Sequence, residues 1–239
     1  MNTPARSWTR AFSPHGYFNR VPAQAVQEQL RQAWRRWGQP QALRVDNGSP
    51  WGSWSDLPPA LSLWLLGLDL QMIWNDPHCP QQNGVVERSQ RTGQNWAEPG
   101  RCATVVELQQ RLDESDQLQR EEYPHHAGQS RWQLFPQLRH SGRRWSLRRE
   151  EQTWDLQRVL AHLSSYELAR RVDGGGKLSL YNRNHYVGVK HAYQTVYVRL
   201  DPQEHQWIIA DAQGQQLRIR EASELTRQAI RSLAVSGNK

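Results

Sequence analysis

Two stretches of this chain carry side chains suited to chemistry at a phosphate. The first is Leu43-Arg44-Val45-Asp46-Asn47-Gly48-Ser49-Pro50. Its apolar residues predict a short buried strand that delivers Asp46 at its C-terminal end. Asn47-Gly48 then suits a sharp turn, because both residue types tolerate positive φ. The second is Cys79-Pro80-Gln81-Gln82-Asn83-Gly84-Val85-Val86-Glu87-Arg88-Ser89-Gln90-Arg91. It reads as a polar loop that enters a helix with Glu87 in its first turns. Hard divalent cations prefer oxygen ligands, and two carboxylates held by a strand end and a helix suit them. Two such ions activate an attacking oxygen and stabilise a leaving one in phosphoryl transfer.

Taken singly, each stretch has an ordinary explanation. Asp-Asn-Gly is a common turn, and a Glu near a helix N-terminus complements the helix dipole. Taken together they are specific. Asp46-Asn47-Gly48 follows a hydrophobic strand, and Pro80, Asn83, Gly84, Glu87 and Arg88 then match the pattern Pro-x-x-Asn-Gly-x-x-Glu-Arg. The pair resembles the integrase-like transposases of bacterial insertion sequences, relatives of retroviral integrases. The resemblance implies an α/β fold: a ribonuclease-H-like catalytic core with an Asp, Asp, Glu triad, followed by a small SH3-like β-barrel. It implies DNA integration and transposition by metal-dependent strand transfer. Mg²⁺ (or Mn²⁺) is the implied cofactor and DNA the implied partner, with a homo-oligomer left open. Asp46 and Glu87 match the second Asp and the Glu, as catalytic and metal-holding residues. Arg88 and Arg91 are then expected to hold phosphate, and Asn83 and Gly84 to shape the loop that meets DNA. Arg143 and Arg144 add DNA contacts from a basic, Trp-containing stretch.

The chain departs from that pattern in two ways. The family's first Asp stands on the first strand of the core, well upstream of the second. Here the only acid ahead of Asp46 is Glu28, in a helix-forming stretch. The expectation is therefore a partial core, an N-terminally truncated copy in which Met1 is a new start inside an older reading frame. Forty residues lie between Asp46 and Glu87, more than is usual, and the Trp- and Pro-rich loop 51–59 accounts for the surplus. Asp56 and Asp76 flank the two motifs and read as solvent-facing loop residues. The alternative function is a non-catalytic DNA-binding remnant that uses the basic linker and the barrel.

Composition sets the outer bounds. A chain of 239 residues holds one large domain or two small ones. Mean hydropathy is −0.87, and no apolar run approaches the ~20 residues of a membrane span. No membrane partner is expected. Cys79 and Cys102 form neither a metal-spaced pair nor a disulfide framework, which makes a reduced cytoplasm the default. Net charge is +7, and every basic residue except Lys177, Lys190 and Lys239 is Arg. Basic character suits a polyanion, since binding phosphates releases counterions. A genomic bias toward Arg accounts for the same numbers, so charge alone does not decide.

The positioning elements follow from period and punctuation. Residues 22–37 read as a helix with Val26, Leu30, Ala33, Trp34 and Trp37 on its buried face, closed by Gly38 and Pro40. Residues 58–66 read as a short apolar helix, 68–74 as a strand and 83–98 as the Glu87 helix. Thr104 with Glu107 forms a capping box for a helix to about residue 123, with a buried stripe at Val105, Leu108 and Leu112. The expected domains are 1–128, the integrase core lacking its first strands; 129–165, a basic linker; 166–222, the SH3-like barrel; and 223–239, a C-terminal helix or tail. Barrel strands are expected at 177–181, 186–189, 195–200, 207–210 and 217–220, with one turn at Asn182-Arg183-Asn184.

Overall fold

Asp46 owes its place to the helix and strand that precede it. The computed structural model describes residues 22–52, 56–76 and 84–235. Helix α1 (Ala23–Trp37) buries Val26, Leu30, Ala33, Trp34 and Trp37 along one face, together with Gln27. Gly38 ends it at φ +76°, and its N–H returns to the Trp34 carbonyl at 2.9 Å. A Cβ there would meet His140 Cε1 at 2.8 Å, so both the left-handed turn and the close approach require glycine. Strand β1 (Ala42–Val45) follows, with Leu43 and Val45 buried and Arg44 exposed.

Next come α2 (Ala60–Gly67), β2 (Gln71–Trp74), α3 (Gly84–Ala97), α4 (Val105–Glu121), α5 (Arg131–Leu134), α6 (Leu147–Thr153) and α7 (Leu156–Leu163). The last third holds β3 (Leu168–Arg171), β4 (Lys177–Leu180), β5 (Arg183–Tyr186), β6 (Thr195–Asp201), β7 (Gln206–Ala210), β8 (Gln216–Glu221) and α8 (Arg227–Arg231). The fold is mixed helix and strand. Among the described residues no helix is long and apolar enough to cross a membrane. The chain divides into two compact units: residues 1–46 with 74–147, and residues 47–73 with 148–239.

In the first unit α3 packs on α4, and α4 on α5. Thr104 caps α4 by accepting from the Glu107 N–H at 3.1 Å. The Glu107 carboxylate accepts from Ala103 N–H at 2.8 Å, one residue before the cap itself. The α4 stripe differs from expectation. Leu108, Ser115 and Gln119 are its buried positions, whereas Val105, in the first turn, is 55% exposed. Ser115 and Gln119 face Gly93 of α3, where a Cβ would make ordinary contact with both at 3.9 Å.

The second unit is built around α2. Its sequence, Ala-Leu-Ser-Leu-Trp-Leu-Leu-Gly, is apolar on every side, and a helix of that kind must be enclosed. Leu63, Trp64 and Leu65 are completely buried. The one hydroxyl, Ser62, is satisfied by donating to the Trp51 carbonyl at 2.7 Å. Helix α7 covers α2 with Val159, Leu160 and Leu163. Trp154 reaches back so closely that a Cβ at Gly67 would lie 2.7 Å from its Cζ2. Its indole N–H donates to the Trp64 carbonyl at 3.0 Å, while the Trp64 indole N–H donates to the carboxylate of buried Glu150 at 3.1 Å. Residues 148–163, expected as part of a linker, thus carry α7, which is buried against α2, and α6, which is exposed apart from Glu150. Their partner lies far upstream in sequence, so local pattern did not reveal the packing.

Four strands form an antiparallel sheet in the order β3-β6-β7-β8, and β4 pairs with β5 in a hairpin. The hairpin register is one step from expectation: Leu180 pairs with Arg183, so the turn is Tyr181-Asn182. Both turn residues have positive φ, 48° and 61°. A two-residue hairpin loop demands this, because only the mirror-image turns match strand twist. Tyr181 accepts that backbone because its ring is buried and its hydroxyl donates to the Pro58 carbonyl at 3.1 Å. Strand β5 consequently covers 183–186 rather than 186–189. Strand β3 lacks a clear apolar alternation, with only Leu168 buried, and had no sequence signal.

Candidate active site

The alternation of β1 places Asp46 at the surface. With Leu43 and Val45 facing inward, the chain leaves the strand with Asp46 exposed. The strand end is tied by Asn75 N–H donating to the Val45 carbonyl at 3.0 Å. After Asp46 the backbone closes on itself: Trp51 N–H and Gly52 N–H both donate to the Gly48 carbonyl, at 3.0 and 2.8 Å. A Cβ on Gly52 would run into the Asn47 carbonyl. Gly52 was not singled out from the sequence, yet it is what allows this compact turn behind Asp46. Its signal was only a glycine in a polar, Trp-rich loop.

Glu87 lies in the first turn of α3 and is exposed. Negative charge there is favoured by the helix N-terminus. The buried side of α3 carries Gly93 and Ala97. Glu87 and Arg91, four apart, lie about 40° from each other around the axis; Glu87 is about 80–120° and Arg91 about 120–160° from that buried stripe. Arg88 is exposed as well, and Thr92 caps its carbonyl by donating at 3.0 Å. Gly84 opens the helix, and a Cβ there would meet nothing within 4 Å. Among the described residues, no neighbouring atom forces glycine at 84. Asn83 lies outside the described residues. Asp46 and Glu87 belong to the same compact unit.

The remaining residues named from the sequence are placed as follows. Arg143 is half-buried, and its Nη1 donates to the Pro40 carbonyl at 3.0 Å, bracing the approach to β1. Arg144 is exposed. Asp76 is exposed just after β2. Asp56 forms a two-pronged ion pair with Arg170 of β3, at 2.6 and 2.8 Å. That pairing draws Asp56 into the framework of the second unit rather than leaving it to solvent alone.

Two carboxylates suit Mg²⁺, which keeps several waters and is commonly held through one or two protein acids. Asp46 and Glu87 are of the right chemistry and exposure for that role. Among the described residues no group of three or more His, Cys, Asp or Glu is placed to hold a metal ion. No protein-family model matches the chain.

Proposed function

We propose that this chain is an integrase-like transposase family protein that acts on DNA in integration and transposition, with Asp46 and Glu87 in a ribonuclease-H-like site. One observation carries the reading. Both acids of the paired motifs emerge exposed at element ends, one leaving a strand and one entering a helix, within a single compact unit. In this reading Asp46 and Glu87 together hold Mg²⁺ (or Mn²⁺). When bound, the ion polarises a phosphodiester and lowers the cost of charge on the attacking and leaving oxygens. Arg88 and Arg91 pair with phosphate oxygens, for which the planar guanidinium fork is well matched. Gly84, which has no Cβ, lets the backbone at the helix entrance come close to DNA. The four-stranded sheet and the hairpin supply an SH3-like barrel for DNA contact and for assembly of a homo-oligomer. The cytoplasm is the proposed location.

A second reading, a non-catalytic DNA-binding protein, draws on the exposed arginines, Arg139 and Arg144 among them. Calorimetric titration with Mn²⁺ separates the two. The expected result is a binding heat for the wild-type chain that is lost in Asp46→Ala. Identical heats would remove Asp46 from any metal site and leave the second reading standing. Since only two triad carboxylates are assigned, no nicking of supercoiled plasmid is expected from the chain alone. Nicking that disappears in Glu87→Gln would show a complete site.

A further inference from the structure

The C-terminal end of α1 carries a second group of cations, separate from the Glu87 helix. The Arg36 guanidinium lies 4.9 Å from the Trp37 ring centroid, and Arg120 of α4 lies 5.2 Å from the same ring. Arg120 is also 5.8 Å from Trp132, which Arg139 approaches at 5.2 Å. Arg35 stands 5.1 Å from Trp145, which meets buried Trp34 edge-on at 6.2 Å. Backbone bonds fix the arrangement. Ser141 N–H donates to the Trp37 carbonyl at 2.9 Å and Gln39 N–H to the Arg143 carbonyl at 2.8 Å. The run Arg139-His140-Ser141-Gly142-Arg143-Arg144 is thereby bound alongside residues 37–40. Three stretches far apart in sequence contribute arginines to one ladder of alternating cations and indoles.

Part of this ladder is packing. Trp34, Trp37 and Trp145 are buried. Arg120 is half-covered; burial and then the neighbouring Arg36 charge lower its pKa, opposed by Asp116, Glu121 and Asp113 of its own stretch. Arg35 has Glu28 at 3.5 Å. Arg36, Arg139 and Arg144 differ, because all three are exposed. A guanidinium laid over a ring keeps its N–H edge available and is fixed before any ligand arrives. Several such cations on a rigid scaffold fit a row of regularly spaced phosphates better than a single small anion.

We infer that Arg36, Arg139 and Arg144 form a clamp for the sugar–phosphate backbone of duplex DNA, with Arg36 fixed over Trp37, Arg139 over Trp132, and Arg144 exposed beside them in the chain segment that is bound alongside residues 37–40. The inference rests on the DNA reading above and adds a surface outside the Glu87 helix. Contacts of this type position a duplex and carry no sequence preference.

The test uses the full chain, a fluorescent duplex of arbitrary sequence and a salt series read by anisotropy. The variant is Arg36→Gln/Arg139→Gln/Arg144→Gln, with folding checked by circular dichroism. Three lost phosphate contacts should lower the slope of log affinity against log salt by about 3, and lower affinity on the order of a hundredfold at 0.1 M salt. The corresponding triple Arg→Lys variant keeps the charges and loses the planar fork, so it should keep the slope and bind more weakly than wild type. An unchanged slope in the folded Gln variant would overturn the clamp. Should the Gln variant unfold, the Lys variant decides, and affinity equal to wild type would overturn it. Tighter binding of polyglutamate than of the duplex would do the same. Mn²⁺ calorimetry on the same samples separates the two proposals. Clamp-dependent DNA binding without a Mn²⁺ heat defeats the catalytic reading alone; a Mn²⁺ heat with unaltered DNA binding in the Gln variant defeats the clamp alone.

Discussion

Removing the Trp154 indole tests how the second unit is held together. Trp154 is 1% exposed. Its N–H serves a specific need at the end of α2. Leu68, four residues after Trp64, donates to Leu65 and Leu66 instead, so the Trp64 carbonyl lacks its ordinary helical partner. Trp154 supplies the replacement at 3.0 Å. Trp154→Phe deletes that donor and leaves a buried carbonyl unsatisfied, at a cost of about 1–3 kcal/mol. Trp154→Ala also removes the ring and should cost about 3–5 kcal/mol. Urea unfolding followed by far-ultraviolet circular dichroism gives both values. Gly67→Ala supplies the sharper check, because its new methyl strikes the Trp154 ring. In the wild-type background that substitution should be destabilising by about 1–3 kcal/mol from overpacking. In the Trp154→Ala background the methyl has room, and the two changes should be non-additive by more than about 1 kcal/mol. Equal cost of Gly67→Ala in both backgrounds would refute the close contact and the packing argument built on it.

Two further outcomes follow from the geometry. His162 is half-buried beside the Tyr166 hydroxyl at 3.2 Å, and burial lowers its pKa from the ordinary 6.5. The unfolded chain therefore binds the proton more readily, so stability should decline as pH falls below about 6.5, and His162→Gln should flatten that part of the thermal-unfolding profile. Gly52→Ala forces its methyl against the Asn47 carbonyl and should disturb the turn after Asp46. It should lower the melting temperature and weaken Mn²⁺ binding together, whereas a loss of stability with unchanged Mn²⁺ affinity would detach that turn from the metal site.

Some of this was plain in the sequence because the signals were local. The α1 stripe, its Gly38 stop and the exposed placement of Asp46 all follow from spacing within a few residues. Glu87 in the first turn of α3 was equally legible, since Gly84 and the apolar pair after it open a helical period. The all-apolar run of α2 read correctly as a helix, yet nothing nearby said what would enclose it. Trp154 and Leu160 do so, and their role depends on a partner more than eighty positions upstream. The Arg–Trp ladder escaped for the same reason: Arg36, Arg120 and Arg139 look like scattered surface charges until the backbone bonds of Ser141 and Gln39 bring their segments side by side. The displaced hairpin had another cause. Asn182 advertised a turn, but the second left-handed residue is Tyr181, held there by a hydroxyl bond to Pro58 that no short pattern encodes.

The interleaving of the two units has a consequence for how the chain is made. Synthesis proceeds from the N-terminus, so α2 leaves the ribosome long before α7 and α8, with which it packs. At common elongation rates the gap between residues 67 and 163 lasts roughly 5–20 s. Throughout that interval Leu61, Leu63, Trp64 and Leu65, all buried in the finished protein, lack the surfaces that later cover them. The first unit must meanwhile collect its own parts around this unfinished insertion. Expression yield should therefore depend on chaperones that shield apolar nascent segments, and a fragment beginning at residue 129 forfeits the helix around which its own tertiary core is organised.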